Sequence, residues 1–260
     1  MRHFTLRQWL ILLTVQFATL LFGATMTSVA VILPQMKGAL SATQDQVSWI
    51  ITFNLVATAI ATPLTGWLAS KFGWRNLMVG AIAGFTSFSV LAGTADSLEA
   101  MLGTRVLQGL FGAPIFPLGQ AILLASFSKA QHPFILMAWG VGGVMGPILG
   151  PLFGGLMAEL INWRWAFFMI LPAGIVAGLL AFASLSNEEK GKTQRFDYLG
   201  FVLIAIAIGA TQLMFDRGQR LDWLESYEIQ LELLLAVVFF YLFIIHILTA
   251  RQALFDPATF

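Results

Sequence analysis

The chain has no cysteine in 260 residues. That removes disulfides, thiolate nucleophiles and cysteine metal sites, but says nothing of the redox compartment. Charge is nearly as scarce: 10% of residues are Asp, Glu, Lys or Arg, and the net charge is +1. A soluble domain carries about a quarter charged residues, so this one could not keep a surface in water. There is no basic patch for nucleic acid and no acidic tail. The three histidines, His3, His132 and His246, are scattered without ligand spacing. His246 falls in a late apolar run, where a structural hydrogen bond is the expected role. No phosphate-binding glycine loop, nucleophile constellation or metal spacing occurs, so neither an enzyme nor a bound cofactor is expected.

What the sequence has instead is hydrophobic length. At 58% hydrophobic, the chain reads as an integral membrane protein. Apolar spans run at about 9–33, 47–69, 77–95, 100–126, 134–158, 165–184, 198–215 and 233–250. The first is expected to end at Pro34. Arg2 and Arg7 before it suggest a signal sequence, but it is too long for one and lacks a small-x-small cleavage site, so it reads as retained. The longest connections are Asn187–Asp197 and Asp216–Glu232, the latter an acidic loop expected to face solvent. With a cytoplasmic N-terminus, the inner side holds Arg2, Arg7, Lys71, Arg75, Lys129, Lys190, Lys192, Arg195 and Arg251. The outer side holds only Lys37, Arg164, Arg217 and Arg220. The lysine and arginine bias therefore places both termini inside.

The first six spans read as two copies of three. Gly66-Trp-Leu-Ala-Ser-Lys-Phe-Gly-Trp-Arg75 aligns with Gly155-Leu-Met-Ala-Glu-Leu-Ile-Asn-Trp-Arg164 at an offset of 89 residues. Leu21-Phe-Gly-Ala24 matches Leu110-Phe-Gly-Ala113 at the same offset. An odd number of spans per copy makes the repeats inverted, which is a transporter architecture. The fold class is thus all-α and polytopic: a six-helix bundle of 3+3 inverted repeats plus two more transmembrane helices.

Arg105 is the one charge well inside a span. Burying it costs several kcal/mol unless it is paired or meets water, which makes it a functional candidate or a staple for helix carbonyls. Helical spacing sets Gln108, Gly109, Gly112 and Phe116 on its face, and the repeat puts Gln16 opposite it. Gln16, Thr25 and Asn54 are the remaining lining candidates. The fifth span carries Gly142, Gly146, Gly150 and Gly154 in one stripe, with Gly143, Pro147, Pro151 and Gly155 beside it. Pro147 and Pro151 free the carbonyls of Gly143 and Pro147, and the bare stripe lets another backbone come close.

These stretches together resemble the major facilitator superfamily, and within it the fourteen-helix drug:proton antiporter family of the EmrB/QacA type. Gly66–Arg75 looks like the superfamily's loop motif G-x-L-A-D-R-x-G-R-R, and Leu102–Ala113 like L-x-x-x-R-x-x-Q-G. Gly142–Gly155 looks like the antiporter helix motif. F-D-Y-L-G from Phe196 and D-R-G-Q-R-L-D-W from Asp216 resemble the two helices that family inserts between its halves. The resemblance implies a bundle at 1–186, a cytoplasmic linker at 187–197, two inserted helices at 198–251, and at 252–260 the approach to a second six-helix bundle.

It further implies export of lipophilic or cationic compounds by proton-coupled alternating access across a bacterial inner membrane. This chain would be the N-terminal half, as a fragment, a truncated product or part of a split transporter. The bilayer, the second bundle, substrate and protons are the implied partners, with a periplasmic adaptor and outer-membrane channel as further ones. Arg105 would take part in proton movement. Gly66, Ser70, Lys71, Gly73 and Arg75 would form a cytoplasmic gate. Two positions depart from the family: Thr25 and Ser70 stand where it has aspartates, and neither titrates near neutral pH. A truncated, non-transporting paralogue or an accessory membrane subunit is the competing reading.

The charge bias fixes a first prediction. Reporter fusions after Lys71, Lys129 and Lys190 read as cytoplasmic, and one after Asp222 reads as external. Digestion of the Lys71 turn by protease added outside intact cells would overturn the orientation.

Overall fold

The computed structural model describes residues 4–186 and 196–250. Arg2, Lys190, Lys192, Arg195, Arg251, nearly all of the expected linker at 187–197 and the tail at 252–260 lie outside the described residues. Among the described residues, eight helices are long and apolar enough to cross a membrane: α1 Leu6–Ala39, α2 Gln44–Phe72, α3 Trp74–Thr94, α4 Leu98–Ser126, α5 Lys129–Leu160, α6 Trp165–Ser184, α7 Tyr198–Arg220 and α8 Tyr227–Thr249. The protein is a multi-pass membrane protein.

Local chemistry sets several boundaries. Thr5 and Thr43 open α1 and α2 with capping boxes closed by Gln8 and Gln46, so two orphan amide groups are satisfied at each end. The Ser97 side chain caps α4. Between α2 and α3 only Gly73 is non-helical, at φ 82°, a backbone that favours glycine. Pro34 does not end α1. The helix continues to Ala39 because Ile32 and Met36 are fully buried on either side of it. That burial outweighs the single backbone bond a proline removes. α4 does break, at Ala113–Pro114.

The packing obeys the repeat. α1 lies against α5 and α6, α4 against α2 and α3, and α3 against α6. Exchanging α1 with α4, α2 with α5 and α3 with α6 leaves that pattern unchanged. Side chains follow: Arg164 donates to the Gly93 carbonyl (2.9 Å), and its counterpart Arg75 lies 5.1 Å over the ring of Phe182, the counterpart of Gly93.

The glycine helix packs inward. The family resemblance implies that the Gly142–Gly154 stripe packs on a helix of a second bundle and stays partly uncovered in this chain alone. Instead all four glycines are buried against α1. A β-carbon at Gly146 would sit 2.8 Å from the Leu20 carbonyl oxygen and 3.1 Å from the Gly23 α-carbon, so the two backbones touch. The Pro147 carbonyl freed by Pro151 accepts from Thr27 Oγ1 at 3.2 Å. Only the neighbouring stripe stays open, with Pro147 exposed and Gly143, Pro151 and Gly155 half-buried.

α7 and α8 form a hairpin that lies on α2 through α7. His246 Nε2 meets both oxygens of Asp197 at 2.9 Å, giving His246 the structural bond expected of it. At the other end Arg217 pairs with Glu232 and, at 3.3 Å, with Glu228. Asp216 accepts from the Thr52 hydroxyl of α2, and Arg220 reaches Asp45 at 3.2 Å. The Asp216–Glu232 stretch is therefore not a solvated loop. Helices run through both its ends, and Glu232 is buried.

Gly146→Leu should destabilise the bundle itself by about 3 kcal/mol, because neither backbone can withdraw to admit the side chain. Gly140→Leu, where a β-carbon meets nothing within 4 Å, serves as the control. Thermal unfolding of the purified chain in lipid nanodiscs measures both, and equal melting temperatures would refute the α1–α5 contact.

Candidate functional site

Two apolar cores fill the bundle toward its two faces. One gathers Val15, Leu21, Phe85, Ile122, Trp139 and their neighbours. The other gathers Ile32, Met36, Ile50, Met101 and Phe167. By position along their helices, the buried polar residues Thr25, Ser28, Asn54, Thr86, Ser89, Arg105 and Gln108 fall between these cores. A polar layer at mid-depth is where transporter sites form.

Arg105 has 0% exposure. Its Nε donates to the Ile50 carbonyl of α2 at 3.2 Å, and its Nη1 to Gln108 Oε1 one turn along α4. Asn54 Nδ2 of α2 donates back to the Arg105 carbonyl at 2.7 Å. Gly109 makes this possible, because a β-carbon there would lie 2.5 Å from the Asn54 carbonyl oxygen. Thr58 Oγ1 adds a bond to the Gly109 carbonyl at 3.2 Å. Arg105 Nη2, Gln108 Nε2 and Asn54 Oδ1 are buried without a partner among the described residues. No ion pair among the described residues involves Arg105, and apart from it Glu232 is the one buried charged residue.

The structure thus unites Arg105, Gln108, Gly109 and Asn54 at the α2–α4 seam. Gly112 lies one turn on, packed against Phe85 and Phe22. Phe116 does not share that face. The break at Ala113–Pro114 turns it outward, 42% exposed, beside Trp139 with centroids 4.6 Å apart. Gln16 sits instead at the α1–α5 seam, donating to the Ala138 carbonyl at 2.8 Å. It repeats there what Arg105 does at Ile50, one position from strict repeat symmetry. Thr25 is fully buried, and its hydroxyl donates to the Leu21 carbonyl of its own helix (2.8 Å).

The expected gate residues form no open loop. Gly66, Ser70 and Lys71 belong to the last turns of α2. Gly66 and Ser70 line an apolar groove of about 610 Å3 with Ala69, Trp74, Pro117 and Ala121. Ser70 Oγ donates to the Trp67 carbonyl at 2.8 Å. Lys71 Nζ stands 4.7 Å over the Trp67 ring. Sequence reasoning missed the Ile50 carbonyl, since any residue supplies one. Thr52 and Thr58 looked like ordinary threonines of an apolar span. Glu232, an acid within a hydrophobic stretch, carried a signal that could have been read.

Residues 15–255 match the Major Facilitator Superfamily. The chain is 35% identical to the fatty acid resistance protein FarB of Neisseria gonorrhoeae, over 91% of its own length and 46% of that protein. It is 36% identical to the multidrug export protein EmrB of Haemophilus influenzae, over 96% of its length and 49% of that protein. With EmrB of Escherichia coli K12 the identity is 33% over 91% of the chain. The chain spans about half the length of the curated relatives it matches.

If Arg105 served only to hold α2 on α4, removing it would unfold the seam. A buried cation without an acid gives little net stability, so Arg105→Met should leave the fold within about 1 kcal/mol of wild type. Chemical denaturation in nanodiscs reads this directly, and a loss of about 3 kcal/mol or more would make the arginine a staple.

Proposed function

The chain belongs to the major facilitator superfamily, and from that premise we propose that it supplies the N-terminal half of a proton-coupled exporter of lipophilic or toxic compounds. The observation that carries this reading is Arg105, wholly buried at the α2–α4 seam, with an unpartnered guanidinium nitrogen. Such a group is expensive in a membrane unless transport uses it. The relatives, a multidrug export protein and a fatty acid resistance protein, support that substrate range. Inverted three-helix repeats are themselves a transporter architecture, in which one bundle rocks against another around a fixed site.

In this reading α1–α6 form the transport half and the α7–α8 hairpin joins it to a second bundle. Both termini are cytoplasmic, and the protein lies in a bacterial inner membrane. A periplasmic adaptor and an outer-membrane channel complete the route where two membranes must be crossed. Gly66, Ser70, Lys71, Gly73 and Arg75 gate the cytoplasmic side, with Lys71 and Arg75 resting on the rings of Trp67 and Phe182. One observation favours the rival reading of a non-transporting partner. Thr25 and Ser70 spend their hydroxyls on carbonyls of their own helices, so neither position carries a proton.

Drug tolerance separates the two readings. An efflux-deficient bacterium producing this chain together with the C-terminal half of EmrB should gain tolerance to lipophilic drugs, and Arg105→Ala should abolish the gain at unchanged protein level. Thr25→Asp, restoring an acid, should shift the pH dependence of export. Tolerance that survives Arg105→Ala would refute the role given to Arg105. A folded, membrane-inserted chain that confers no tolerance in that pairing would favour the non-transporting reading.

A further inference from the structure

We propose that the end of the bundle carrying Arg7 binds a phosphate group, borne by a phospholipid headgroup or by a small soluble phosphate. The site is separate from Arg105 and goes beyond the transport reading. Helices α1, α3, α4 and α6 contact one another in a closed ring. At the N-terminal end of that ring lies a cavity of about 390 Å3, within the size range of small-molecule sites. Thr5, Arg7, Gln8, Trp74, Ser126 and Ser186 give it polar walls. Arg7 ties α1 to the end of α6: its Nε donates to the Ser184 carbonyl at 3.4 Å and its Nη2 to the Ser186 hydroxyl at 3.1 Å. Gln8 Nε2 ties α1 to α4 through the Ser126 carbonyl at 3.2 Å. Among the described residues, Arg7 Nη1 has no partner and no carboxylate pairs with that guanidinium.

The internal repeat shows what this end lacks. Under the 89-residue offset Arg7 corresponds to Asp96, and Arg75 to Arg164. At the opposite end Arg164 meets three acceptors: the Gly93 carbonyl at 2.9 Å, the Ala95 carbonyl at 2.7 Å and Asp96 at 2.8 Å. At the Arg7 end the same two positions hold two arginines. Arg75 lies over the Phe182 ring, and its Nε is buried without a partner among the described residues. Both arginines thus meet the last turns of α6 with no acid to balance them. A phosphate supplies the missing negative charge. A guanidinium binds it through two parallel bonds, and the hydroxyls of Thr5, Ser126 and Ser186 can donate to its other oxygens. α1 begins here, so its dipole adds positive potential. The cavity also leaves room for the alcohol of an ester. In the orientation proposed above this end is cytoplasmic, the side of the membrane where anionic headgroups concentrate. A purely topogenic Arg7 would need neither the cavity nor the second unpaired arginine.

The test uses the full chain in phosphate-free maltoside micelles. Its melting temperature is followed against inorganic phosphate, glycerol 3-phosphate, a short-chain phosphatidylglycerol and, at matched ionic strength, sodium chloride. Phosphate probes should raise it saturably, and chloride should not. Arg7→Gln should weaken half-saturation at least roughly tenfold, the worth of a lost charged hydrogen bond. Ala125 is an exposed alanine of the cavity wall. Ala125→Leu fills the space without removing a bond, so it should weaken binding as much, and it keeps the proposal testable if Arg7→Gln inserts wrongly. Saturation by inorganic phosphate or glycerol 3-phosphate would identify the soluble source. A response confined to phosphatidylglycerol would identify the headgroup, and either supports the site. No saturable response to any phosphate probe would overturn it. So would an equal response to chloride, which is screening alone. Affinity unchanged in Ala125→Leu, or in a folded Arg7→Gln, would also refute the assignment. None of these outcomes bears on export through Arg105.

Discussion

Two helix backbones touch at Gly146 and two more at Gly109, and everything else in the bundle is arranged around those approaches. In a membrane no hydrophobic force drives apolar helices together, so close packing and hydrogen bonds must do it. At the α1–α5 seam, glycine lets the Leu20 carbonyl and the Gly23 α-carbon into van der Waals contact with α5. Thr27 then covers a carbonyl that Pro151 left open. At the α2–α4 seam the same device brings the Asn54 carbonyl onto α4. The seams are images of one another under the internal repeat, and each carries one long polar side chain that donates across to a backbone carbonyl. Gln16 does so at one and Arg105 at the other.

The two seams differ in what they hold. Gln16 is neutral and its seam is closed by four glycines, so it reads as the fixed side. Arg105 meets a carbonyl and an amide oxygen at its own seam, and among the described residues no carboxylate pairs with it. That seam is held by one glycine, the Thr58 hydroxyl, the Asn54 side-chain amide and the Arg105 guanidinium.

The hairpin of α7 and α8 bears on this indirectly. Its Asp216 and Arg220 hold the α2 positions Thr52, Asp45 and Ser48, on the helix whose Ile50 and Asn54 hold Arg105. α2 is thus gripped from both sides. A displacement of α2 at the seam must be accommodated at the hairpin, which is stapled to itself at each end by His246–Asp197 and Arg217–Glu232.

Sequence by itself determined the class, the eight spans, the inverted repeat and the singular position of Arg105. Each follows from properties carried residue by residue: apolar length, charge scarcity, periodic glycine. It did not determine what those features face. The Gly142–Gly154 stripe announced a close backbone partner, which the family resemblance assigned to a second bundle, and only the packed chain shows that α1 takes it. Phe116 shared the Arg105 face on an ideal helix until Pro114 broke the register. Pro34 looked like an end until Ile32 and Met36 proved to be buried around it. Glu232 and Asp216 read as solvated acids because their partners, Arg217 and Thr52, are fixed by how the hairpin folds and where it lies on α2. Tertiary structure decided all of these, since burial and pairing belong to the space between helices and not to any one helix.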